Sequence, residues 1–284
     1  MEEYAKTFKF QRQSGTFARE SEIPMLFPMY TMPLEEVLKL EEMKPHEKLM
    51  EEDILVDFVD EMGEMGRAIF VSHQWLCPWK PDPKLAQFRH LQLALKNLLS
   101  TSKHLIDRDS TNEFATPSGP SIPIEEFRKK PLFIWYDYFS IPQIDVDSWT
   151  SSDFKKPIEE ALNSIAAYIA RSTFFFVLCP VVENPDCTEL FGPSTWASRG
   201  WCRLEKTVRE LLPEGNSFVV IHDANHMEAI LTPANSLVLA GPSGEGSFGI
   251  GEDRERLGRV LLILLKKLVL HHLSSENFWH IGHI

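Results

Sequence analysis

Cysteine is scarce in this chain: four in 284 residues, at positions 77, 179, 187 and 202. Their spacing is irregular and includes no CxxC pair. Neither Cys179-x7-Cys187 nor the adjacent His271 and His272 reads as a zinc set, so no metal is expected. The first 24 residues are polar and charged, unlike a basic-then-apolar leader, which makes reduced thiols and a cytosolic (cytoplasmic) location the expectation. Long apolar runs are missing too. The most apolar stretch, VLLILLKKLVL at 260–270, is interrupted by Lys266 and Lys267, well short of the roughly 20 residues that span a bilayer. No membrane span is expected, and the stretch reads as a core or interface helix.

Basic charge is also in short supply. The net charge is -12, and residues 1–66 hold most of it, with 16 acidic against 7 basic side chains. The remainder is near neutral. Nothing provides the basic stripe that a phosphate backbone requires, so nucleic acid is not an expected partner.

What is present is an alternation of apolar runs and amphipathic stretches. Between 33 and 65 the apolar positions Leu34, Val37, Leu38, Ile54, Leu55, Phe58, Val59 and Met62 fall at helical spacing, which predicts two short acidic helices with Gly66 as a stop signal. AIFVSHQW (68–75) follows, then a helical pattern over 84–99 and a Ser-, Thr- and Pro-rich stretch at 100–130 that reads as a surface loop or lid. PLFIWYDYF (131–139) leads to a helix over 158–169. TFFFVLCPVV (173–182) has no polar alternation, which marks a strand buried on both faces. The helix RGWCRLEKTVREL (199–211), the run SFVVIH (217–222) and a last helix from about 252 complete the chain.

Strands alternating with helices predict a doubly wound α/β fold with a parallel sheet. In such sheets the ligand crevice lies outside the carboxyl ends of the strands. That rule selects Ser72, His73, Gln74 and Trp75, then residues 137–143 with Asp137, Tyr138, Ser140 and Gln143, then residues 179–183, then His222 and Asp223. The start of the 199–211 helix, with Trp201 and Glu205, closes the same end.

Each candidate has two readings. On a wheel of about 100° per residue, Trp201, Leu204, Val208, Leu211 and Leu212 share an apolar stripe with Glu205 at its edge. Glu205 is either paired with Arg209 at i, i+4 or held at a pocket rim, where poor solvation strengthens its pull on a cation. Asp137, inside an apolar run, must find donors or face the crevice. His73 is a general base or a satisfied structural group. Cys202, near a helix N-terminus, would have a lowered pKa and, with His73, could serve a thiol hydrolase. GEGSFG (244–249) has the form GxGxxG, but a dinucleotide fingerprint needs a strand immediately before it and an acidic residue on a second strand about 20 residues later, where this chain is in its last helix, and Glu245 would repel a pyrophosphate.

AIFVSHQW, FFFVLCP and WCRLE resemble, in that order, the first strand, third strand and WCxxE helix of TIR domains. WYDYFSIPQ (135–143) is similar to the WxDxxCxxQ signature of heterokaryon-incompatibility (HET) domains, and IAAYIARS extends the likeness. The chain differs in carrying Ser140 where HET domains have Cys and Pro142 where they have Asn. It also has Arg199 where TIR domains have Ser. The resemblance covers about 67–225, between an acidic helical extension (1–66) and a C-terminal loop and helix (226–284). It implies a TIR-like, flavodoxin-like fold and signalling by self-association. By the same resemblance, Glu205 matches the WCxxE glutamate that catalytic TIR domains use to cleave the nicotinamide–ribose bond of NAD, which implies NAD as substrate rather than cofactor. The candidate substrate-binding set is Ser72, His73, Gln74, Trp75, Asp137, Tyr138, Ser140, Gln143 and Trp201, whose aromatic rings could stack on NAD.

Overall fold

The computed structural model describes residues 23–59, 65–108, 121–143, 152–183, 190–212, 217–230, 243–249 and 251–274. Met62, Cys187 and the stretches 109–120 and 144–151 of the expected loops lie outside them. In chain order the elements are β1 (Tyr30–Pro33), α1 (Leu34–Val37), α2 (His46–Glu51), β2 (Val56–Asp57), β3 (Arg67–His73) and α3 (Ala86–Ser100). Then come a 3-10 turn (Ile124–Phe127), β4 (Leu132–Trp135), α4 (Asp137–Ser140), α5 (Ser152–Asn163), α6 (Ile165–Arg171), β5 (Phe174–Leu178), β6 (Val182–Glu183) and β7 (Leu190–Phe191). The last are α7 (Pro193–Ser198), α8 (Gly200–Leu211), β8 (Phe218–Ile221), β9 (Met227–Ile230) and α9 (Asp253–Ser274).

Seven strands form one sheet in the order β2-β1-β4-β3-β5-β8-β9. The four apolar runs, β4-β3-β5-β8, pair parallel. All five residues of β5 are buried, as a strand covered on both faces requires. The two cores are those faces. Ile69, Val71, Phe88, Leu91, Leu95 and Phe176 belong to one; Phe70, Val177, Ile169, Leu204, Val208 and Leu264 belong to the other. The doubly wound α/β reading therefore holds at the level of a mostly parallel sheet covered by helices.

Asp82 shows how sequence sets the position of α3. It is completely buried, and its carboxylate accepts the amides of Ala86 at 2.7 Å and Phe88 at 2.8 Å, two of the donors that the first turn cannot satisfy internally. Gly66, read as a helix stop, instead precedes β3 with φ +155°. A Cβ there would lie 2.5 Å from the Pro131 carbonyl oxygen, so only glycine admits this approach of β3 to the residue before β4.

Four expectations need correction. The segment before β3 is not purely helical: β1 and β2 add to the sheet, β1 antiparallel to β4 and β2 antiparallel to β1, and Thr31, Met32, Leu55 and Phe58 on and beside them are buried. On the other side β9 pairs antiparallel with β8, so the C-terminal part supplies a strand as well as a helix. The single helix over 158–169 is two. Ser164, completely buried, breaks it where its Oγ donates to the Glu160 carbonyl and accepts the amides of Leu26 and Phe27. The described parts of 100–130 are no free loop either, since Ile106, Ile124 and Phe127 sit in the core.

Candidate functional site

Ser72 and His73 are the last residues of β3 rather than a loop beyond it, and consecutive strand residues point to opposite faces. Each collects its own carboxylate. Ser72 Oγ donates to Glu205 Oε2 at 2.5 Å and accepts from the indole Nε1 of Trp196 at 3.2 Å. His73 Nε2 meets Asp137 Oδ1 at 2.7 Å, and Trp75 Nε1 donates to Asp137 Oδ2, also at 2.7 Å. The His73 ring stacks on Tyr136 with centroids 3.8 Å apart, and Trp75 meets Tyr138 edge-on at 5.9 Å.

The chain places these groups through local rules. β4 stops at Trp135, and Asp137 opens the one-turn helix α4; it does not interrupt a strand. α8 starts at Gly200, and its period carries Leu204, Glu205 and Val208 to the buried side. Glu205 does not pair with Arg209. The Arg209 guanidinium donates to the carbonyls of Ser172 at 3.0 Å and Thr173 at 3.1 Å; it reaches across to the segment before β5, and Glu205 turns toward β3.

The electrostatics differ on the two faces. Burial pushes the Glu205 carboxyl up to about 8; the Ser72 hydrogen bond opposes this, and the negative charge of Asp137 adds to it. Glu205 is 9% exposed, so at neutral pH the resting site holds the acid form. Burial also pushes the Asp137 carboxyl up, but attraction to His73 and hydrogen bonds from His73, Trp75 and the Tyr138 amide outweigh it and hold Asp137 below the ordinary carboxylate range. Its side chain is 32% exposed.

Other predicted site residues have structural partners. Gln74 Nε2 donates to the Gly192 carbonyl. Ser140 Oγ accepts the Tyr136 amide, and Gln143 is tied to Glu47 through its amide and to the Ile141 carbonyl through its side chain. Trp201 Nε1 donates to Asp253 at 2.9 Å, so that indole fastens α9. Cys202 is corrected outright: its thiol is buried and donates to the His73 carbonyl at 3.3 Å, and burial, with Glu205 beside it, pushes its pKa well up, not down. A thiol hydrolase needs the opposite.

Trp196 was missed. Its signal is a tryptophan in a polar segment, since a fully buried indole N–H needs an acceptor and Ser72 supplies it. Among the described residues no group of three side chains could hold a metal ion, and no helix is long and apolar enough to cross a membrane. A cavity of about 320 Å³ opens elsewhere, between the end of α3 and the β8–β9 turn, lined by Asn97, Leu105, Asp107 and Asn225 among others. None of the site residues lines it. No family model matches the chain, and no curated protein or solved structure does either.

Proposed function

We propose that this chain is a TIR/HET-like signalling domain of flavodoxin-like order that cleaves the nicotinamide–ribose bond of NAD, with Glu205 as the catalytic carboxylate. One observation carries the reading. The Glu205 carboxylate is held on Ser72 at the carboxyl end of β3, beside β5. Taken alone, the parallel strands run second-first-third-fourth in space, so the boundary between β3 and β5 is the switch point where such sheets bind ligands.

The chemistry needs one carboxylate and no general acid. The C1′–N1 bond breaks with its electron pair going to the pyridinium nitrogen, so nicotinamide leaves neutral. The ribosyl carbon gains oxocarbenium character that a carboxylate stabilises. Water then adds to that carbon and gives its proton to solvent; attack by a purine nitrogen would instead cyclise the product. Only ionised Glu205 can serve, whereas the resting group is protonated below about 8. Arrival of the pyridinium cation favours ionisation, so substrate binding releases a proton. Asp137, one-third exposed and ionised, adds negative potential at the same strand end, with Trp75 and Tyr138 as stacking surfaces.

Incubating the purified chain with NAD and following nicotinamide tests this. Glu205→Gln should lose activity by about a hundredfold or more, the scale on which one electrostatic group in a closed site acts. Equal rates in the two proteins would remove Glu205 from the chemistry. A second reading, a self-associating module without activity, is favoured by Leu262 and Ile263, 52% and 42% exposed on α9. Light scattering that shows monomer at every concentration would exclude it.

A further inference from the structure

The segment GEGSFG, which is no dinucleotide fingerprint, lies against the helix that bears Glu205. Ser247 bridges to Arg199 in parallel fashion. Its carbonyl accepts the Gly200 amide at 2.8 Å, and its own amide donates to the Ser198 carbonyl at 2.7 Å. The first amide of α8 thus finds its acceptor in this segment, where a helix end otherwise leaves donors unsatisfied. The approach is close enough to depend on two glycines. A Cβ on Gly246 would lie 2.4 Å from Gly200 Cα, and a Cβ on Gly200 would lie 2.0 Å from the Phe248 ring. Phe248 is packed against the same core as Leu204 and Val208 and carries the Arg254 guanidinium over its face at 5.4 Å. The next residue of α8, Trp201, is fastened to Asp253, a buried carboxylate that also accepts from Arg256 at 2.9 Å.

We propose that residues 243–249, together with Asp253, form a strap that positions Glu205 by fixing the start of α8, and that Gly246 and Asp253 are positioning residues for the reaction at Glu205. The proposal rests on the reading of Glu205 given above. The physical reason is leverage. Glu205 stands little more than a turn beyond Gly200, and its bond to Ser72 closes across 133 residues of chain. The far half of α8 is fixed independently by Arg209 on the Ser172 and Thr173 carbonyls. With the near end loosened, α8 pivots about Arg209 and swings Glu205 away from Ser72. The groups facing Glu205 are Ser72, Cys202 and, at longer range, Asp137, so the carboxyl reports its own placement: displaced toward water, it titrates nearer an ordinary carboxylate.

The three glycines of the motif supply the test. A Cβ on Gly244 or on Gly249 meets nothing within 4 Å. A phosphate-cradling loop would need Gly244 for its turn, whereas a strap needs only Gly246. Full-length Gly244→Ala, Gly246→Ala and Asp253→Asn are compared with wild type by carbon NMR titration of Glu205, assigned by its absence in Glu205→Gln, and by the kcat and KM of nicotinamide release. Gly246→Ala and Asp253→Asn should lower the Glu205 midpoint and reduce kcat by about tenfold with KM within about twofold, as a misplaced catalytic group does. Gly244→Ala should match wild type in both. An unchanged Glu205 midpoint in a folded Gly246→Ala or Asp253→Asn protein overturns the strap, as does a Gly244→Ala that is equally damaging. Should Gly246→Ala fail to fold, Asp253→Asn decides. Should wild type release no nicotinamide, the function proposed above fails while the midpoints still decide the strap.

Discussion

Two carboxylates end within reach of one strand, and the faces of β3 give them opposite charge states. Asp137 has a histidine, an indole N–H and a backbone amide as donors; Glu205 has a single hydroxyl, itself shared with Trp196. Burial acts on both in the same direction. The count and charge of donors, more than burial, decides which one ionises. On the α3 face the result is an ionised carboxylate, and on the α8 face a carboxyl that burial holds protonated at neutral pH.

That contrast breaks most completely at Glu205. A carboxyl whose folded pKa stands near 8, against 4.5 for the free group, contributes stability that is present below 4.5 and lost as pH rises through 8. At roughly 1.4 kcal/mol per unit the total is on the order of several kcal/mol. Glu205→Gln, which cannot ionise, should abolish this loss, so urea midpoints of the two proteins should diverge with rising pH and favour the variant at pH 9. Parallel curves would mean an ionised Glu205 at neutral pH.

Asp137→Asn tests the other face. Asp137 is held below its ordinary value, so its contribution is present above the unfolded pKa and lost as pH falls through the folded one. Removing its charge should cost about 2–3 kcal/mol at pH 7, the scale of charge-assisted hydrogen bonds. At low pH, where wild type is protonated as well, the difference should shrink. Smaller again is Ser72→Ala, which deletes the one donor of Glu205. It should destabilise by about 1–2 kcal/mol and move the rise of kcat/KM with pH to higher pH. Arg209→Met should have the least effect on the site: it loses two carbonyl contacts and costs about 1 kcal/mol with the Glu205 titration unchanged. A Glu205 midpoint raised by the loss of the cation would revive the i, i+4 pair.

The parallel core was legible because its strands advertise themselves. β5, with FFFVL buried throughout, admits few other readings. The edge strands were not, since β2 has two residues and β9 four, and their pairing partners are set by tertiary contact rather than by period. The same holds for Ser164, whose break in the α5–α6 stretch serves amides 137 and 138 residues away. Within the site, Ser72, Asp137 and Glu205 could each be singled out by position, but not their partners. Arg209 looked like the neighbour of Glu205 on a wheel, and only the fold shows that the Ser172 and Thr173 carbonyls compete for it and win.

The flanking strands also bear on how the chain can be cut. A piece trimmed to 67–225 would lose β1 and β2 from the β4 side and β9 from the β8 side. That would expose LFIW and FVVI, two uncharged rows of free amides and carbonyls. The intact sheet ends instead on a two-residue strand containing Asp57 and on a strand containing Glu228, short and charged borders of the kind that discourage edge-to-edge polymerisation. The extensions therefore act as insulation, and a trimmed piece should aggregate where the full chain stays dispersed.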